Sequence, residues 1–299
     1  MSSQITPRGS DPQVFGREEG PLRAFCEVLG AKRVGSYWSL TFVAPAIAER
    51  ARPGQFVTLA VDVGGATLRR PFSIASVSQQ GPWAGTIEIV FSGVGQGTHW
   101  LAQRGKHDVL DLVGPLGRGF PLPNRQVPAL LVGGGYGAAP MLYLARTLGA
   151  RGHRVDVVLG ARTAEQIYNT IEAKRAAASA TFTTDDGSLG TQGIVTDVLD
   201  GVAEHGRSEV VYGCGPMPML AGVARWAADR GLPSQVAVEE AMACGTGVCM
   251  TCVVPVRRKG QRRNVRACVE GPVLNGARVD WDAVRSPAMA QHELDEETG

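Results

Sequence analysis

Four cysteines, Cys244, Cys249, Cys252 and Cys268, fall in one short stretch of this chain, spaced C-x4-C-x2-C and then x15 to the last. No other feature narrows the fold as much, because a loop that brings four thiols together has few conformations open to it. A pair of irons bridged by two sulfides takes four thiolates, two on each iron. The plant-type spacing supplies three from a tight loop and one from a distance. Gly245 and Gly247 stand between the first two ligands, where backbone approaches inorganic sulfur with no Cβ in the way. Ala243, Thr246 and Thr251 are small enough for the same crowded turn. A four-cysteine zinc site is the competing reading. Such sites group their ligands as two short C-x2–4-C pairs. Here three crowd one loop and the last stands alone, so the spacing favours a [2Fe–2S] cluster.

Charge and hydropathy exclude several classes. Acidic and basic residues are interspersed and nearly balanced, at a formal +2, which gives no electrostatic reason for a nucleic-acid or membrane partner. No apolar run approaches the ~20 residues of a spanning helix. The opening MSSQITPRGSDPQVFGREEGP lacks the apolar stretch of a signal peptide. The expected location is therefore cytoplasmic, where structural disulfides are rare and six cysteines call for another use. Cys26, in the strand-like AFCEVLG, reads as a small buried apolar residue. The five histidines are scattered, and no G-x-S-x-G or Walker pattern occurs.

A chain of 299 residues has room for two or three small domains. Three blocks are visible between two tails. Residues 1–21 read as a flexible leader. From 22 to 124, short β-type runs are split by Gly and Pro, as at Gln55–Val61, Thr86–Gly93 and Lys106–Pro115, with one helix near Thr98–Arg104. That pattern predicts a small antiparallel β-barrel. From 125 to 232, apolar runs at Val127–Gly134, Arg154–Arg162, Ala180–Asp186 and Ser208–Pro216 alternate with helical stretches at Pro140–Gly152 and Ile194–His205. This alternation predicts a parallel sheet covered on both faces. Residues 233–278 hold the cysteine loop and a basic stretch, Val256–Arg266, which reads as a solvated hairpin or as a docking surface for an acidic partner. An acidic tail, 279–299, closes the chain. The fold class is thus multidomain, β plus α/β: a barrel, a parallel α/β domain and a small C-terminal cluster domain.

The second block opens on a strand, a glycine-rich turn and a helix, VPALLVGGGYGAAPMLYLAR. Gly133-x-Gly135-x-x-Ala138 fits the G-x-G-x-x-A dinucleotide pattern in its proper context, and such a turn aims backbone N–H groups at a pyrophosphate. Tight strand–helix packing alone would also explain it. The carboxylate that ordinarily grips the ribose about 20 residues later is missing. The next strand ends Leu159-Gly160-Ala161-Arg162, which leaves NADP open beside NAD. Asp156 comes too early in that strand and reads as structural. VVYGCGPMPML ends the last strand of the block in Cys214-Gly215-Pro216, either a nucleotide motif or a turn with a buried thiol.

LRRPFSIASV, Leu68–Val77, resembles the flavin-binding signature of the ferredoxin–NADP reductase superfamily. Taken with the glycine-rich turn, the CGP motif and the cysteine run, in this order and spacing, the stretch from 22 to 278 resembles the electron-transfer subunits of class 1B dihydroorotate dehydrogenase. The resemblance implies FAD cradled by Arg70, Pro71, Phe72 and Ser73, lined by Val90, Phe91 and Ser92, with its phosphate on Gly97 and Thr98. Family members often carry Arg where this chain has Ser92. It also implies NAD over Gly133, Gly134, Gly135 and Gly137 and against Cys214, Gly215, Pro216 and Met217. GPLGRGF, Gly114–Phe120, matches the family's barrel exit loop, and TDDGSLG, Thr184–Gly190, resembles a segment near the nucleotide, with no role assigned.

No acid–base residue is required. The implied partner is a separate FMN-containing dihydroorotate dehydrogenase catalytic subunit, in a heterotetramer. Electrons would pass from dihydroorotate through the cluster and FAD to NAD+, in pyrimidine biosynthesis. Diaphorase subunits of hydrogenases, sulfide dehydrogenases and ferredoxin-dependent transhydrogenases share every motif quoted. A zinc-stabilised non-enzymatic module would keep the four cysteines without the electron route. Both readings stay open on the sequence.

Overall fold

The computed structural model of the protein describes residues 13–14, 20–65 and 68–284. Most of the leader at 1–21, and the tail beyond 284, lie outside the described residues.

The first block is a barrel. Its strands are β1 (Gln13–Val14), β2 (Leu22–Val34), β3 (Tyr37–Val43), β4 (Phe56–Leu59), β5 (Arg70–Ser78), β6 (Thr86–Phe91) and β7 (Val109–Leu116). They run in the order β1-β2-β3-β6-β5-β4-β7, and a further β2–β7 pairing closes six of them on themselves. Every pairing is antiparallel. The period-2 rule fills the interior: along β7, Leu110 and Leu112 are buried while Asp111 faces out. That outward carboxylate is put to use. Arg23 donates to it at 3.0 and 2.9 Å, and Arg69 at 3.0 and 3.1 Å. Burial pushes the Asp111 carboxyl up, but the bonds from Arg23 and Arg69 outweigh it and hold the group down at about 2.

Two short helices ride on the barrel, α1 (Pro45–Arg50) and α2 (Gln96–Ala102). The helix expected at Thr98–Arg104 starts two residues earlier, because Gly95 is extended and its N–H bonds the Thr98 hydroxyl at 3.0 Å. This is the returning half of a capping box.

The second block is doubly wound. It contains β8 (Ala129–Gly134), α3 (Ala138–Gly149), β9 (Val155–Ala161), α4 (Thr170–Ala176), β10 (Ser179–Thr184), β11 (Thr191–Gln192), α5 (Leu199–Gly206), β12 (Val210–Cys214), α6 (Met217–Asp229) and β13 (Ser234–Ala237). The strands are parallel in the order β11-β10-β9-β8-β12-β13. All six residues of β8 are buried, as a strand covered on both faces must be. The helix expected from Ile194 begins as a 3-10 turn, Val195–Val198, and turns α only at Leu199. Asp156 is fully buried, held by Arg154 at 2.9 Å and by the Ser179 hydroxyl at 2.6 Å. α3 lies between sheet and barrel, and the hydroxyl of its Tyr143 donates to Ala51 O at 3.2 Å.

The third block consists of a cysteine loop, a hairpin of β14 (Val253–Arg258) and β15 (Gln261–Arg266), and β16 (Val273–Asn275). It is not detached. β13, from the stretch expected over 233–278, extends the parallel sheet, and β16 returns to pair antiparallel with it. Arg118, in the barrel's exit segment, donates its N–H to Gly271 O at 2.6 Å. The hairpin turns at Lys259 and Gly260, both left-handed. Of its cations, Arg257 and Arg262 neutralise the buried Asp280 and Arg266 pairs with Glu270, while Arg258, Lys259 and Arg263 are exposed. No helix among the described residues is long and apolar enough to cross a membrane.

Candidate functional site

In an open α/β sheet, ligands settle outside the carboxyl ends of the strands where the winding reverses. Here that point lies between β8 and β12, since β9 and β10 continue to one side and β13 to the other. The two motifs meet there, Gly133 opposite Cys214, 81 positions away, in the ladder. They mesh without side chains between them. A Cβ on Gly137 would stand 2.6 Å from Cys214 O, and one on Gly215 would stand 2.9 Å from Gly134 N. Gly135 is left-handed, with φ +55°.

Beside this junction, between barrel and sheet, lies a cavity of about 270 Å³. The barrel contributes Pro71, Phe72 and Ser73 from β5 and Val90, Phe91 and Ser92 from the end of β6; Thr98 adds to the wall from α2. Gly137, Cys214 and Gly215 face them from the sheet. The Phe72 and Phe91 rings sit 5.5 Å apart, making that wall aromatic. Arg70 leans on the first turn of α2, where a Cβ on Gly97 would meet its Nε at 3.6 Å. A guanidinium, an apolar slot, an exposed Ser73 and a half-buried Ser92 suit a planar heterocycle carrying a phosphate. Cys214 is buried, and burial pushes its thiol up to about 12, so it stays neutral in the wall.

A second, longer cleft of about 660 Å³ opens over the ends of β8, β9 and β10. Gly134, Gly135 and Pro216 line it, together with Arg162, Thr183 and Asp185. Gly133 and Met217 line neither space. Gly133 lies beneath the start of α3, where a Cβ would come within 2.8 Å of Ala138 Cα, and Met217 is buried among apolar residues next to the cysteine loop.

Four residues of these sites are not singled out by the sequence. Asp185 follows β10, beside Arg162 at the end of β9. The turn after it is held by Asp186 and Ser188, at 3.0 and 2.6 Å, and by Thr184 with Leu189. The Asp185 side chain takes no part in those bonds. The carboxylate missing from β9 is thus available one strand over, and the paired acids of TDDG are the signal that could have found it. Thr183 is fully buried at the cleft floor, and its hydroxyl has no hydrogen-bond partner. Tyr136 and Glu239, hydrogen-bonded to each other, line both the cavity and the cleft.

On the far side of the cavity is the cysteine loop. Gly245 and Gly247 are both left-handed, φ +71° and +86°. A Cβ on Gly245 would strike Thr58 of the barrel at 2.9 Å, and one on Gly247 would strike Val269 at 2.5 Å. Arg266 donates to Gly247 O at 3.0 Å and braces the turn. The sulfurs fall into two pairs, Cys244 with Cys249 and Cys252 with Cys268. No group of three or more His, Cys, Asp or Glu side chains is gathered to hold a metal ion among the described residues. Two thiols per iron is the demand of a two-iron cluster, and the donor set fits it. The first pair is accessible: burial raises the Cys244 thiol, but bonds from Cys249 and Thr246 outweigh it and bring it down to about 6. The second pair is buried, and burial together with the neighbouring Cys252 raises the Cys268 thiol well above the ordinary range, so binding a cation there releases a proton. Phe56 and Met242 line the cavity and also pack against the buried cysteine pair.

Residues 239–280 match the model of the iron–sulfur cluster binding domain of dihydroorotate dehydrogenase B, and residues 131–225 that of the oxidoreductase NAD-binding domain. The chain is 37% identical over 244 residues to the dihydroorotate dehydrogenase B (NAD(+)) electron transfer subunit of Desulforamulus reducens, covering 81% of this chain and 92% of that one. The Geobacillus kaustophilus subunit of the same name is 38% identical over 246 residues, with the same shares covered. Among solved structures, a chain of the NADH-dependent reduced ferredoxin-NADP oxidoreductase superposes with a TM-score of 0.75 at 33% identity, over 87% of this chain and 91% of that one. A ferredoxin NADP+ reductase from Neisseria gonorrhoeae with bound FAD and NADP shares the fold, at a TM-score of 0.57 and 18% identity, over 70% of this chain and 92% of that one.

Proposed function

The chain belongs to the family of dihydroorotate dehydrogenase B electron transfer subunits, and from that premise we infer that it carries electrons from dihydroorotate oxidation in a partner subunit to NAD+. The step belongs to pyrimidine (UMP) biosynthesis, and the chain is an oxidoreductase subunit using a [2Fe–2S] cluster, FAD and NAD. The observation that carries this reading is contiguity. The cysteine loop shares Phe56 and Met242 with the first cavity, and the cavity shares Ser92, Val94, Tyr136 and Glu239 with the cleft. Three compartments therefore lie wall to wall.

A nicotinamide exchanges a hydride, a cluster exchanges single electrons, and a flavin does both, so the middle compartment suits the flavin. Cys244, Cys249, Cys252 and Cys268 would hold the cluster. Pro71, Phe72 and Phe91 would form the apolar wall that keeps one side of the flavin ring from water, Ser73 and Ser92 would hydrogen-bond its polar edge, and Arg70 with Gly97 and Thr98 would take its phosphate. Gly134, Gly135 and Gly137, with Gly215 and Pro216, would let a dinucleotide approach the backbone closely. Asp185 would accept from its ribose hydroxyls. The side chains exclude water and orient; none needs to gain or lose a proton.

The partner would be an FMN-containing catalytic subunit, in a heterotetramer. The exposed rim of the cysteine loop, with Val248 82% and Met250 53% exposed beside Cys249, is the side open to it. The test is an anaerobic absorption spectrum of the purified chain with iron, sulfide and flavin analysis, followed by co-purification with that subunit. Zinc in place of iron and acid-labile sulfide would sink the reading. A second reading, an NAD(P)H–ferredoxin oxidoreductase or diaphorase subunit, is favoured by the likeness to the ferredoxin-NADP oxidoreductase. Turnover with ferredoxin but not with dihydroorotate would select it.

A further inference from the structure

We propose that Tyr136, latched to Glu239, is a movable partition between the two cavities, so that the nicotinamide half of a dinucleotide enters the first cavity only by displacing the Tyr136 ring. The inference rests on the reading above, in which the cavity holds a flavin and the cleft a dinucleotide. Its ground is position. Tyr136 and Glu239 belong to the walls of both spaces, and the Tyr136 hydroxyl donates to the Glu239 carboxylate across the passage between them.

The ring is held lightly. It is 41% exposed, belongs to none of the buried clusters, and meets Tyr37 edge-on at 6.1 Å and 77°. Moving it breaks one hydrogen bond and one edge contact and opens no hole in a core. The backbone beneath it is not free to move instead. Gly137 is wedged against Cys214 O, where even a Cβ would come within 2.6 Å, and Gly135 occupies a left-handed conformation. Opening is therefore a rotation of the side chain about its own bonds. Glu239 forms no ion pair among the described residues, so its carboxylate is committed to the latch. The other end of the cleft, around Arg162, Thr183 and Asp185, does not line the first cavity, so the adenosine half can seat with the partition closed.

The partition predicts a difference between two ligands. ADP-ribose lacks the nicotinamide ring and binds without opening the latch, whereas NAD+ must spend part of its affinity on breaking a hydrogen bond to a charged group. The test measures both by calorimetry on the flavin- and cluster-loaded protein, unaltered and as Tyr136→Phe, Glu239→Gln and the double variant. Both positions are exposed or at a cavity rim, so the fold is retained. Tyr136→Phe is expected to tighten NAD+ by about tenfold, the worth of such a bond, with ADP-ribose unchanged. The double variant should gain no more than Tyr136→Phe alone, since one bond cannot be removed twice. Equal shifts for both ligands, or no shift for either, overturns the latch while leaving the dinucleotide reading intact. If the unaltered protein binds neither ligand, the reading of the cleft falls and the latch falls with it.

Discussion

The first cavity has two neighbours built in opposite ways. Toward the cysteines its wall is close-packed: Phe56, Met242 and the buried pair Cys252 and Cys268 share one apolar cluster, and Gly245 is pressed onto Thr58. Toward the cleft its wall is half-exposed and held by a single side-chain bond, Tyr136 to Glu239. The contrast suits the chemistry proposed for each side. An electron crosses packed side chains without atoms exchanging places, so that wall can be rigid. A hydride travels only between touching rings, so that wall must yield.

The sharpest test of the rigid side is to compare its two cysteine pairs. Cys268→Ser and Cys249→Ser should each abolish cluster assembly, seen as loss of iron and sulfide. Only Cys268→Ser should also destabilise the metal-free protein, by roughly 2 kcal/mol, because a serine hydroxyl there is buried without a designed partner. A metal-free Cys249→Ser protein melting like the unaltered one, with Cys268→Ser melting several degrees lower, is the expected pair of results. Equal melting would remove the distinction between a structural pair and an exposed one.

Next in size is the glycine turn. Gly247→Ala must bear both a left-handed φ and a Cβ 2.5 Å from Val269, whereas Gly260→Ala, in the hairpin turn, has the same φ class and open space. The expected costs are roughly 2 kcal/mol and about 1 kcal/mol, read as the temperature at which cluster absorbance is lost. Adding Val269→Ala should recover part of the first and none of the second.

On the yielding side, Asp185→Asn should lower the preference for NAD over NADP by about tenfold, roughly 1.4 kcal/mol, in steady-state kinetics with each nucleotide. An unchanged ratio would remove Asp185 from the ribose site.

The smallest effect concerns the barrel strand that the cysteine loop leans on. Thr58 accepts from Arg69 at 3.3 Å, and Arg69 is in turn held by Asp111. The Asp111 carboxyl titrates lower in the folded protein, at about 2, than in the unfolded chain, near 3.8. Its contribution is therefore full above pH ~4 and lost as pH falls toward 2, about 1 kcal/mol after solvent screening. Asp111→Asn should flatten the acid limb of the stability curve and leave neutral pH lower by the same amount.

How much of this is legible in the sequence depends on how local each feature is. The cysteine spacing, the Gly135 turn and the strand–helix alternation each lie within a few residues or one turn of chain, so local geometry constrains them. Helix starts shift, by two residues at α2 and by five at α5, because caps such as Gly95 with Thr98 and a leading 3-10 turn are decided by single hydrogen bonds. TDDGSLG is placed near the nucleotide by resemblance, but Asp185 gets no role from the sequence because its neighbour Arg162 comes from an adjacent strand, and sheet order is not written in any one segment. The passage between Tyr136 and Glu239, 103 positions apart in the chain, is less visible still.

The sequence by itself determined the chemistry this protein can carry: thiols at iron–sulfur spacing, a turn without side chains for a pyrophosphate, and an Arg-Pro-Phe-Ser strand. Those depend on residue type and short-range spacing, which backbone sterics convert directly into shape. Only the tertiary structure decided that the three sites share walls, which wall is close-packed and which is held by one side-chain bond, and that Asp185 stands beside Arg162. Those are contacts between distant segments. They exist because barrel closure and sheet order bury apolar surface as a whole, a global sum that no single stretch of chain encodes.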